Sequence, residues 1–160
     1  MLIRQIEVPL PSVVSFRSAL VAEKAMLEGL QRRASLSNPG DREALLANPD
    51  AIDIPEEQLE SGLVFVAESD GVVVGFAAIL PRADSGAELD ALFVEPHLWR
   101  HGYGRALIEH CVGMARQRGA DALHVIGNPH AEGFYKSCGF TLTGIEQTRF
   151  GEGLRMRMAL

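Results

Sequence analysis

Gly102-Tyr103-Gly104-Arg105 comes six residues after Pro96, the proline that ends the apolar, β-favouring run Ala91-Leu92-Phe93-Val94. A helical apolar pattern begins directly behind it. Two glycines between a strand and a helix let the backbone approach an anion closely. The amides of the first helical turn then point at that anion with the positive end of the helix dipole behind them. The stretch from Arg100 to Arg105 therefore reads either as a cradle for a pyrophosphate-sized anion or as a plain tight turn. Two nucleotide-binding versions of such a cradle are excluded. A Walker loop needs Gly-Lys-Ser/Thr, and Gly104 is followed by Arg105-Ala106. A dinucleotide fingerprint needs a glycine where Leu107 stands, and a parallel sheet that the neighbouring hairpins contradict.

The elements that must hold this loop follow from periodicity. Leu2–Val8 alternates as an edge strand, and Val13, Phe16, Leu20, Met26, Leu27 and Leu30 recur at helical spacing from Ser12 onward, with Ser12 as cap. Asn38-Pro39-Gly40 and Asn48-Pro49-Asp50 are turn signals around a short helix at Arg42–Ala47, and Pro55–Glu60 is one more helical turn. Leu63–Glu68 and Val72–Leu80 are β-rich runs separated by Ser69-Asp70-Gly71, a hairpin signal. Ala87–Val94 is a third antiparallel strand leading into the loop. Behind the loop, Leu107, Ile108, Cys111, Val112 and Ala115 form one stripe of a helix stopped by Gly119. Ala122–Ile126 is then a buried strand that must run parallel to Ala87–Val94, because a helix joins them. Asn128-Pro129 opens a short helix ending at Cys138-Gly139, and Phe140–Gln147 and Leu154–Leu160 are the last strands.

Composition sets the class. The chain has 160 residues, 47% of them apolar and 22% charged, which suits one domain over 1–160 with a proper core. Fifteen basic against 21 acidic side chains leave a net charge of −6, which argues against a nucleic-acid binder. The absence of a long apolar run argues against a membrane span, and no signal-peptide pattern opens the chain. Cys111 and Cys138 make neither a disulfide framework nor a metal quartet, so a reduced, cytoplasmic protein without metal is expected.

Two stretches together resemble the GNAT family of N-acetyltransferases. The first family motif is a strand ending Val-x-Pro, then Arg/Gln-x-x-Gly-x-Gly/Ala; here it is Val94-Glu95-Pro96, then Trp99-Arg100-His101-Gly102-Tyr103-Gly104. The second is Asn-x-x-Ala-x-x-Phe-Tyr, a lysine-containing turn and Gly-Phe; here it is Asn128, Ala131, Phe134, Tyr135, Lys136 and Gly139-Phe140, about 25 residues further on. The likeness covers Leu63–Leu160. It departs at Trp99, where the family usually has arginine or glutamine, with Arg100 one place later.

The resemblance implies an α/β fold: a mixed, mostly antiparallel twisted sheet of six to seven strands, about four flanking helices and one parallel, splayed strand pair. It implies an acetyl-CoA-dependent N-acetyltransferase acting on a primary amine of a small molecule or peptide by direct attack on the thioester. The pantetheine arm would lie between Leu92-Phe93-Val94 and the region of Ile126–Asn128, and the diphosphate on Arg100, His101, Gly102, Tyr103, Gly104 and Arg105. The Val94 amide would donate to the thioester oxygen. Tyr135 would protonate the leaving sulfur, and Glu88 or Asp90, directly or through water, would take the amine proton. Glu68 and Glu95 are secondary candidates for the base. Read from the residues alone, Tyr135 is equally a packed core ring, Asn128 a helix cap, and Glu88 with Asp90 a solvent-facing acidic pair. A non-catalytic acyl-CoA-binding regulator and an enzyme using another acyl donor remain alternatives. A homodimer paired through the last strand is also expected.

Overall fold

A computed structural model describes residues 13–160. Among the described residues, seven strands form one sheet in the order β1-β2-β3-β4-β5-β7-β6. They are β1 Val14–Ser18, β2 Val64–Ser69, β3 Val72–Pro81, β4 Ala87–Val94, β5 Ala122–Gly127, β6 Thr141–Thr148 and β7 Gly151–Ala159. Only β4 and β5 run parallel; every other neighbouring pair is antiparallel. The helices are α1 Lys24–Ser37, α2 Pro39–Ala47, α3 Glu56–Glu60, α4 Tyr103–Gln117 and α5 Glu132–Ser137. No helix among the described residues is long and apolar enough to cross a membrane.

Each face of the sheet buries its own core. On one face Phe65, Ala67, Ala77, Ile79, Leu89 and Leu123 pack beneath Leu107, Ile108, Cys111 and Ala115 of α4. On the other, Val64, Val66, Phe76 and Ala78 pack against Leu27 and Leu30 of α1, Ile54, and Leu59 of α3. Strand periodicity of two sorts these residues to the two faces. The β2–β3 turn is built as its sequence demands: Asp70 and Gly71 both take positive φ (52° and 77°), the geometry whose twist matches flanking strands. Helix α4 stops at Gly119, at φ 81°, with the Ala120 amide bonded back to the Ala115 carbonyl.

Two expectations are corrected. The segment after Ser12 does not begin as a helix; Val14–Ser18 is a strand, and helix α1 starts at Lys24. The register Val14↔Ser69 to Ser18↔Phe65 gives this backbone a full set of ladder partners. Phe16 stacks on His110 of α4 at 4.8 Å, and Arg17 pairs with Glu23 and Glu68. Tertiary pairing overrides an apolar spacing that fits a helix as well. The expected strand at Leu2–Val8 and the Ser12 cap lie outside the described residues. Second, β7 is paired on both sides, with β5 and with β6, over nearly its whole length. It has no free edge, so the last strand is not available to pair between subunits.

Candidate functional site

The site opens where the parallel strands part. Their register covers only Ala87↔Leu123, Glu88↔His124 and Leu89↔Val125, although β4 continues to Val94 and β5 to Gly127. A bulge starts the separation. Ala91 pairs with Ala78 and Leu89 with Ile79, so Asp90 is the extra residue on β4. The bulge also inverts the face on which later side chains fall. Ala87 and Leu89 belong to the α4-side core; beyond the bulge Leu92 and Val94 do so, while Ala91 and Phe93 turn to the α1 side.

Backbone alternation then fixes the Val94 amide. The Glu95 amide donates to the Val74 carbonyl at 2.9 Å, toward β3, so the backbone groups of Val94 face the opposite way, into the gap. The Val94 carbonyl is taken by Trp99, whose indole Nε1 donates to it at 2.8 Å. Trp99 thus positions the Val94 carbonyl with its indole N–H. Its donor holds the carbonyl and leaves the Val94 amide as the free group in the gap.

The loop that follows is shaped as an anion cradle. Arg100 and Gly102 take positive φ (66° and 87°), Gly102 being the residue that precedes α4. The first amide of the helix to find a backbone acceptor is that of Ala106, on the Gly102 carbonyl at 3.0 Å. The amides of Tyr103, Gly104 and Arg105 have no backbone partner among the described residues, and they converge at the positive end of a 15-residue helix. The neighbouring side chains are occupied elsewhere. His101 Nδ1 lies 2.9 Å from the Trp99 carbonyl, the Tyr103 hydroxyl donates to Ser69 Oγ at 3.4 Å, and the Arg105 guanidinium donates to the Ser137 carbonyl and hydroxyl. The Arg100 side chain stays exposed. Grip here belongs to the backbone.

The gap and the cradle join in one cavity of about 610 Å³. Its lining brings together Asp90 to Val94, Arg100, Gly102 to Arg105, Asn128 and Tyr135. Four sequence candidates fall outside that lining: Glu88, His101 and the secondary base candidates Glu68 and Glu95. Glu88 sits in the ladder opposite Leu80 and His124. Asp90 accepts a hydrogen bond from Gln58 Nε2 at 3.0 Å. Glu68 and Glu95 are both engaged, in ion pairs with Arg17 and Arg33.

Tyr135 stands at the β5 end of the cavity, its ring edge-on to Phe134 and Phe140. A side chain at position 127 would bring its Cβ to 3.0 Å from the Tyr135 ring, so glycine there makes the room. Burial pushes the phenol up to about 12, with smaller contributions from Cys138 and the negative charge of Asp41. Its hydroxyl has no hydrogen-bond partner among the described residues. Asn128 does two things. Its Oδ1 accepts from the His130 amide at 2.9 Å as a cap, and its Nδ2 donates to Asp41 Oδ1 at 2.7 Å.

Asp41 and Asn38, both in the cavity wall, are the residues that sequence reasoning missed. They arrive because Asn38-Pro39 opens a helix, α2, with proline at its first position, where a turn was expected. The same Asn-Pro signal at Asn128 was legible as a helix start.

A seven-stranded mixed sheet with a bulged, splayed parallel pair, a free amide in the gap and an anion cradle at its mouth is an arrangement suited to an extended ligand with an anionic end. The profile of the Acetyltransferase (GNAT) family matches residues 27–140, and the chain belongs to that family. It is 30% identical over 137 residues to an amino-acid acetyltransferase of Pseudomonas putida (strain GB-1), covering 85% of this chain but 31% of that protein. The chain therefore spans about a third of the length of that relative. A peptidyl-lysine N-acetyltransferase of Escherichia coli (strain K12) is 42% identical over 60 residues, which is 38% of this chain and 40% of that one. The fold matches that of the PaiA N-acetyltransferase of Thermoplasma acidophilum in complex with coenzyme A, with a TM-score of 0.74 at 17% identity over 92% of this chain and 99% of the other.

Proposed function

We propose that this chain is a single-domain, acetyl-CoA-dependent N-acetyltransferase that acts on a primary amine. The observation that carries the reading is the seam between β4 and β5. An unpaired strand edge with a free Val94 amide runs toward three unpartnered amides at the start of α4. The unpaired edge suits an arm of alternating amides, and the α4 amides suit a diphosphate, so the residues present fit the donor. Acetyl-CoA supplies an acetyl group activated as a thioester and a thiol leaving group.

The chain's own residues do the rest. The amides of Arg100 to Arg105 hold the diphosphate end, and the Leu92–Val94 edge with Asn128 aligns the arm. The Val94 amide, turned into the gap by strand alternation, donates to the thioester oxygen as negative charge builds on it. Asp90, in the cavity wall, takes the proton that the attacking amine must lose; of the two carboxylates expected for this role, it is the one lining the cavity. The Tyr135 hydroxyl gives its proton to the departing sulfur. The names of the relatives support amine acceptors, an amino acid in one case and a peptide lysine in the other. Two free cysteines, Cys111 and Cys138, support a cytoplasmic setting. A homodimer extending the sheet would use an edge strand such as β6 rather than β7.

Release of thiol from acetyl-CoA across a panel of primary amines tests the reading. Amine-dependent release abolished by Asp90→Asn supports it. Tight coenzyme A binding with no turnover of any amine would overturn it in favour of an acyl-CoA-binding regulator.

A further inference from the structure

The cavity reaches past Tyr135 to the start of α2, where the Asn38 carboxamide and the Asp41 carboxylate stand in its wall. The Asn38 side-chain oxygen is buried and has no hydrogen-bond partner among the described residues. It caps nothing: the start of α2 has no side-chain cap bond. A buried acceptor without a donor costs free energy, which a turn of the Asn38 side chain toward a ligand donor in the adjoining cavity would relieve. Asp41, three residues on, spends one carboxylate oxygen on Asn128 and leaves the other without a partner among the described residues. Its charge reaches the Tyr135 hydroxyl, one of the influences that raise that phenol.

The approach of α2 to this point is tightly fitted. A Cβ at Gly40 would lie 2.9 Å from His130 and 3.2 Å from Asn128, so α2 meets the β5–α5 connection backbone to side chain. Asp41 is thereby set beside Asn128 rather than in solvent, half-buried. Charge in the cavity is also distributed unevenly. Its basic residues, Arg100 and Arg105, flank the α4 cradle, and Arg105 is held by Ser137. Its acidic residues, Asp41 and Asp90, are the charged groups away from that cradle. Among the described lining residues no cation stands ready there to receive a carboxylate.

We propose that Asp41 and Asn38 form the seat for the acceptor's ammonium group, and that the acceptor is a cationic primary amine without a carboxylate beside the reacting nitrogen. This inference rests on the acetyltransferase reading above. An ammonium offers three donors, which match the Asn38 oxygen, the free Asp41 oxygen and one further acceptor or water. An α-carboxylate on the same carbon would be carried into an acidic wall and left unpaired, which disfavours an α-amino acid.

The experiment uses matched acceptors that differ only by the α-carboxylate: 2-phenylethylamine against phenylalanine, and 3-methylbutylamine against leucine. Both kcat/KM in acetyl transfer and direct calorimetric binding to the protein–coenzyme A complex are measured. The decarboxylated member of each pair is expected to be favoured at least about tenfold. Asp41→Asn keeps an oxygen for Asn128 and removes the charge. It should raise KM for 2-phenylethylamine by about ten- to a hundredfold while KM for acetyl-CoA stays within about twofold. Asn38→Ala should also raise the amine KM, yet leave Tm unchanged or higher, because it deletes an unsatisfied acceptor. A merely structural role would lower Tm and leave the amine KM alone. Equal or better use of the α-amino acids, or an amine affinity unmoved by Asp41→Asn, would overturn the seat. Selective amine binding without any acetyl transfer would uphold the seat and refute the reaction.

Discussion

Replacing Tyr135 by phenylalanine separates chemistry from packing. The ring contacts with Phe134 and Phe140 survive the change, and the lost hydroxyl has no partner among the described residues. The stability cost is therefore expected to stay below about 1 kcal/mol, a shift in Tm of under roughly 4 °C for a chain of this size. The kinetic cost is much larger. A phenol at about 12 facing a thiolate at an ordinary value of about 8.5 would transfer its proton uphill by roughly 5 kcal/mol. The same desolvation acts on sulfur, however. Cys111, a buried thiol in this protein, is pushed up to about 12 by burial alone. A leaving thiolate enclosed as closely as Tyr135 is thus a base of matching strength, and the transfer is close to balanced. Loss of such a positioned acid should lower kcat by roughly a hundred- to a thousandfold. KM for acetyl-CoA should move little, because in the proposed function backbone groups rather than Tyr135 hold the arm and the diphosphate. The assay is steady-state thiol release with a cognate amine, together with a pH profile. A phenol raised to about 12 stays protonated through the working range, so it contributes no alkaline limb between about pH 8 and 10. Two results would refute this reasoning: Tyr135→Phe within about threefold of the parent kcat, or an alkaline limb near pH 10 that vanishes with the hydroxyl.

Other perturbations test the supports of the site. Trp99→Phe removes the donor to the Val94 carbonyl and should cost about 1 kcal/mol by chemical denaturation, with KM for acetyl-CoA rising severalfold. An unchanged KM would show that Val94 is held without the indole. Gly127→Ala places a Cβ 3.0 Å from the Tyr135 ring and should displace it; kcat is expected to fall about tenfold while calorimetric affinity for coenzyme A stays within about twofold. His110, half-buried against Phe16 and Phe65, has its pKa lowered by burial. Below an unfolded-state value of about 6.5 the unfolded chain binds a proton that the folded one resists, so stability should fall as pH drops through that value toward the lower folded pKa. His124 is lowered as well, first by burial, so His110→Phe should flatten the denaturation-midpoint profile between about pH 7 and 5 without levelling it.

Local chemistry made the β2–β3 turn, α4 and β7 legible. Asp70-Gly71 demanded its turn, the α4 stripe matched the residues that are buried, and alternation along Leu154–Leu160 matches the inward-facing side chains of β7. What escaped depends on partners distant in sequence. Val14–Ser18 has spacing compatible with a helix, and only its ladder with β2 decides otherwise. The bulge at Asp90 leaves no mark in the residue pattern, yet it determines which of Glu88 and Asp90 reaches the cavity. Asp41 belongs to an unremarkable run until Gly40 lets α2 close on Asn128, 87 residues away.

The three residue pairs joining β4 to β5 have a mechanical consequence. The sheet consists of two leaves, β1 to β4 on one side and β5, β7 and β6 on the other, stitched at one end of a seam. A guest lying along the open end acts as a missing strand and sutures the leaves. Resistance to unfolding should therefore track the concentration of that guest by mass action, gaining about 2.7 kcal/mol at a hundredfold excess over its Kd. Without it, the unpaired rim of β4 is open to strand capture by another extended chain, as are the edge strands β1 and β6.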